Sequence, residues 1–130
     1  MRYLLILLLL ISPLSFGNWG DTYFCSMNTM MEVKSDNKNI TYQLETFKFR
    51  LDESKNAVVF PHTEKEQFFK DFELPITLAN FEENKWTAGE TNLSTYVTFG
   101  VGSFLFSGLN VDDENNLSML NIIADCEKFD

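Results

Sequence analysis

The sequence predicts a mainly β fold, an antiparallel meander that is barrel-like or sandwich-like, and three observations lead there. Apolar, β-branched or aromatic segments recur between short polar acidic turns. Within the segments the apolar residues alternate with polar ones, the period of a half-buried strand. Two cysteines, Cys25 and Cys126, stand near the two ends of the chain beyond its leader.

The leader comes first. In "MRYLLILLLLISPLSFG" one basic residue, Arg2, precedes an apolar run from Tyr3 to Ile11. Pro13 breaks that run, and Ser15 and Gly17 occupy the −3 and −1 positions of a cut after Gly17. This is the layout of a cleaved secretory signal, and the run is short of the ~20 residues of a membrane span. The expectation is a signal peptide at 1–17 and a single β-rich domain at 18–130, exported to the periplasm or secreted. Cys25 lies too far past Gly17 for a lipoprotein signal.

"TYFCSMNTMMEV" (22–33) reads as the first core strand. Its cysteine is expected to join Cys126 on the last strand, because an export compartment oxidises thiols. Such a bridge closes a ring of 101 residues, for which the loop-entropy estimate is ~4.7 kcal/mol. Met27, Met30 and Met31 raise soft-metal chemistry. Met27 and Met31 share a parity that Met30 lacks, so these residues read as core or cavity lining.

In "NITYQLETFKFRL" (39–51), Ile40, Tyr42 and Leu44 have one parity and Phe47, Phe49 and Leu51 the other. A β-bulge near Glu45 and Thr46 would bring both sets to one side. The stretch after Thr63 reads as a short peripheral helix, about 64–72. Thr63 and Glu66 fit a capping box, Phe68, Phe69 and Phe72 form an i, i+3, i+4 stripe, and Leu74-Pro75 ends it. Trp86 falls at a strand start, where its indole would be partly exposed. In "STYVTFGVGSFLFSG" (94–108) the parity changes between Val97, Phe99, Val101 and Phe104, Phe106, and Gly100 and Gly102 mark a bend or a hairpin. The last strand alternates Leu120, Ile122, Ala124 and Cys126 with Asn121, Ile123, Asp125 and Glu127.

Little of this resembles catalysis. His62 is the sole histidine and has no partner at a recognised spacing, so it reads as a surface or helix-capping residue. Zinc needs three or four ligands that one histidine and a bridged cysteine pair do not supply. Asn110, Asp112 and Glu114 imitate the opening of a calcium loop, but Asn115 and Asn121 stand where its glycine and closing glutamate belong. No cofactor is expected. Asn39, Asn92 and Asn116 begin Asn-x-Ser/Thr sequons, which matter only in a glycosylating host.

The chain carries 19 Asp and Glu against 10 Lys and Arg, a net charge of −9 that becomes −10 without Arg2. Such acidity disfavours nucleic acid and anionic membranes as partners. Thirteen Phe, four Tyr and two Trp are a heavy aromatic load. Most form the core, and a packed core with no cavity is the favoured reading; were a surplus to line a small apolar cavity, Met27, Met31, Trp86, Phe99, Phe104 and Phe106 would be the candidate ligand contacts. The functional expectation is therefore a binding or interaction protein without catalytic activity, its partner an unknown protein or a small apolar ligand. Two alternatives are a hydrophobic-ligand carrier with a cavity inside the barrel and a carboxylate-based hydrolase.

Overall fold

The computed structural model describes residues 18–129; the signal-peptide reading falls on 1–17, outside the described residues. Nine strands follow one another: β1 (Thr22–Lys34), β2 (Asn39–Thr41), β3 (Thr46–Asp52), β4 (Ala57–Phe60), β5 (Phe72–Asn80), β6 (Lys85–Glu90), β7 (Thr95–Gly100), β8 (Ser103–Val111) and β9 (Leu117–Phe129). Every neighbouring pair is antiparallel, and β1 pairs with β9 as well as with β3. The sheet thus closes into an eight-stranded barrel, and β2 is a short outlying strand on β1. Between the barrel and sandwich forms, the barrel is the one adopted.

The seam is pinned covalently. Cys25 sits directly opposite Cys126 in the β1–β9 register, their Cα atoms 4.0 Å apart, and the two are disulfide-bonded. The predicted link between first and last strands is present.

Inside, the period-two residues meet as expected. Phe47, Phe49 and Leu51 of β3 point inward with Trp86 of β6, Val97 and Phe99 of β7, and Phe104 and Phe106 of β8. Their rings interlock: Trp86 stacks on Phe99 at 5.2 Å, and Phe104 lies 5.0 Å from Phe47 and 5.8 Å from Phe49. Barrels of eight strands have interiors just wide enough for side chains to fill. Here large rings fill it.

Four local expectations are corrected. The first is the helix. Residues 61–71 contain no helix and form the loop between β4 and β5. Phe69 leaves the loop to enter the barrel mouth, fully buried against Phe60 at 4.7 Å, Phe47 at 4.5 Å and Phe106 at 5.1 Å. A helix of nine or ten residues is marginal alone, and burying a phenylalanine is worth about 1.5–3 kcal/mol. Plugging the barrel wins. Thr63 still accepts a hydrogen bond, from the Lys65 N–H, as a local turn.

Trp86 is the second correction, being 2 % exposed instead of partly open. Its indole N–H has no hydrogen-bond partner, and its ring meets Phe49 edge-on at 5.4 Å. Third, the bulge lies elsewhere. It falls in β1, where the register shifts between Met27 and Thr29 and leaves Asn28 unpaired. Met30 therefore joins Met27 inside, while Met31 turns outward. Fourth, β2 and β3 keep one register along β1 without a bulge between them, Tyr42 and Leu44 stay exposed, and only Phe47, Phe49 and Leu51 enter the core.

The parity change at Gly100–Gly102 resolves as a tight hairpin between β7 and β8. Val101 and Gly102 both have positive φ, 50° and 83°, the signature of the type I′ turn that matches strand twist.

Candidate functional site

Of the residues read as ligand contacts, Met27, Trp86, Phe99, Phe104 and Phe106 are brought together, but as barrel filling. Met31 is not among them, because the Asn28 bulge sends it to the outer surface.

The outer surface of β7, β8, β9 and the far half of β1 carries a different feature. Strand register places its outward residues in rows: Thr29, Ile123, Leu105 and Thr98; then Met31, Asn121, Ser107 and Tyr96; then Val33, Met119 and Leu109; then Leu117 and Val111. None of these is charged, on a chain in which charged residues make up 22 %. Leu105, Leu109, Val111, Leu117, Met119 and Ile123 are each 40–56 % exposed. Exposed apolar side chains thus adjoin one another across neighbouring strands, and contiguous apolar patches of this kind mark interaction sites. The Ser107 hydroxyl donates to Asn121 Oδ1 at 3.2 Å, so these two polar side chains pair within the face. Asp125 bounds the face at one end and the Asp112–Asn116 turn at the other.

This face was missed from sequence. A signal exists: both parities of β8 and of Leu117–Ile123 are free of charge. Strands that bury one face normally charge the other.

A second feature surrounds the loop that replaced the helix. Strand β4 reaches β3 only at Arg50, Leu51 and Asp52. On the side away from β1, Thr46, Phe47 and Lys48 therefore border the 61–71 loop instead of a strand, and a groove of about 480 Å³ runs there. His62 stands on its rim, Nδ1 3.0 Å from Asp71 and Nε2 3.2 Å from Glu64. Hydrogen bonding to Asp71, then to Glu64, raises its pKa above the ordinary value of 6.5. These two carboxylates meet at an exposed imidazole, a surface ion-pair cluster.

Asp36, Asp52 and Asp112 serve turns. Asp112 accepts hydrogen bonds from the N–H groups of Glu114 and Asn116, which holds its carboxyl below the usual range. The calcium-like stretch thus spends its first carboxylate on its own backbone. Among the described residues no three His, Cys, Asp or Glu side chains group as a metal site would need. The sequon residues Asn39, Asn92 and Asn116 are all exposed.

Fold and surface together define a disulfide-closed, eight-stranded antiparallel barrel with a filled interior. No protein-family model, curated protein or solved structure matches the chain.

Proposed function

We propose that this is a non-catalytic binding protein of an oxidising, exported compartment that engages a protein partner through the outer face of β7, β8, β9 and β1. The single observation that carries the reading is the charge-free, apolar outer surface spread over four strands of an otherwise acidic molecule. Leaving that much apolar side chain in water is unfavourable unless something covers it. The filled barrel supports this reading over a carrier with its ligand inside, since rings occupy the space a ligand would need. Acidic groups that sit on turns and cap backbone N–H groups support binding over carboxylate hydrolysis. The Cys25–Cys126 disulfide and the signal-like leader both favour export.

The acidic ends of the face suit a partner that is apolar at its centre and basic at its rim. A photo-crosslinking residue at Leu109 should trap a discrete partner in native extract, and Met119→Asp beside it should abolish that product. The same probe at Val59, on the opposite wall, should trap nothing. Equal products at both positions, or insensitivity to Met119→Asp, would overturn the proposal.

A further inference from the structure

We propose that the groove between β3 and the 61–71 loop binds a small organic anion with an aromatic or alkyl body, carboxylate or sulfonate, independently of the protein-binding face. The cations show why. Among the described residues, Lys34, Lys38, Arg50, Lys55, Lys70, Lys85 and Lys128 each have a carboxylate within 4.0 Å. Lys48 and Lys65 have none, and both line this one groove. On a chain with net charge −9, these two lysines without an ion pair supply the groove's positive charge.

The acidic groups near the groove each have a partner. Glu64 and Asp71 hold His62, Glu66 is 3.8 Å from Lys70, and Glu45 accepts the Phe68 N–H at 2.9 Å. Lys48 makes one weak contact, with its ammonium 5.9 Å from the Phe129 ring. Glu127 lies across β1 from it without forming an ion pair at 4.0 Å.

The walls supply the rest of the recognition. Phe24 faces outward at 40 % exposure and borders the groove, with Pro61 across from it on the loop. A half-exposed phenyl ring on a groove also lined by two lysines is complementary to a ligand with a flat or chain-like apolar body and one negative end. The gap itself comes from the fold. Strand β4 is four residues long, so the wall it fails to complete is closed by a loop, and a loop cannot seal a sheet edge as a strand does. The groove shares no residue with the outer face, so either proposal can fail alone.

Calorimetry with 1-naphthoate and decanoate, each against its neutral alcohol, tests the site. One-site binding of at least one anion is expected, with the matching alcohol at least tenfold weaker. Lys48→Gln and Lys65→Gln should each weaken the anion several-fold, and the pair together more than tenfold. Lys55→Gln, whose cation is paired with Glu73 outside the groove, should leave it unchanged. Raising salt from about 0.05 to 0.5 M should weaken binding, because it screens exposed charge. Both lysines are exposed, so unchanged thermal melting will show the variants folded. Absence of saturable binding by both anions, equal affinity for the alcohols, or indifference to the lysine changes would overturn the assignment.

Discussion

His62 shows how a residue without a recognisable motif acquires a defined state from its surroundings. The sequence shows one histidine beside a proline, and the surface reading agrees with an imidazole held between Asp71 and Glu64. The partner Asp71 lies nine residues away, at the far end of the stretch that was read as a helix, which is why spacing gave no hint of it. Because the folded pKa is raised, the cluster's contribution to stability is fully present below the unfolded value of 6.5 and fades as pH rises through the folded one. At full solvent exposure that contribution is slight, so the pKa itself is the quantity to measure. Titration of the imidazole resonances by NMR should place it above 6.5, and Asp71→Asn should lower it. An unchanged value in that variant would show that Asp71 does not hold the proton.

At the scale of elements, the strands and the polar turns were legible, and the connection at 61–71 was not. Alternation along Phe47–Leu51 and Ile122–Cys126 located core residues correctly because one face of each strand is wholly buried. Phe68, Phe69 and Phe72 also fit a helical stripe, yet that spacing is shared by any loop that sends one of three rings inward. What decides is a vacancy in the barrel mouth, which is tertiary information. The β7–β8 hairpin carries a testable flaw. Val101 has φ of 50° and is 75 % exposed. A β-branched residue there is a steric outlier, since the left-handed region costs an L-residue roughly 1–2 kcal/mol. Asn-Gly is the favoured pair for this turn, and Gly102 already supplies its second half. Val101→Asn should therefore stabilise the protein by about 1 kcal/mol, worth ~4 °C in melting temperature for a domain of this size. A lower melting temperature would show that Val101 makes a contact worth more than the strain.

For the whole molecule, closure links covalent and non-covalent order. The two cysteines and the meander of strands were enough to foresee that the first and last strands are neighbours. The charge-free face was not foreseen, because alternation divides a strand into two sides without saying which is wet when both are apolar. Lys48 and Lys65 were equally hidden, since whether a lysine is paired depends on folding. The seam holds by two means of different kind. Main-chain pairing of β1 with β9 runs from Thr22–Phe129 to Lys34–Ser118 and exists only in the folded state. The Cys25–Cys126 bond also restrains the unfolded chain, as a ring across a sequence separation of 101 residues. Replacing both cysteines with alanine should thus leave the barrel able to form, while removing about 3–5 kcal/mol from a total on the order of 5–15 kcal/mol. Urea unfolding measures this directly. The midpoint should fall, and the m-value should rise, because an unlinked chain exposes more surface when unfolded. A loss under about 1 kcal/mol, or an unchanged m-value, would show that the strand seam alone keeps the ends together.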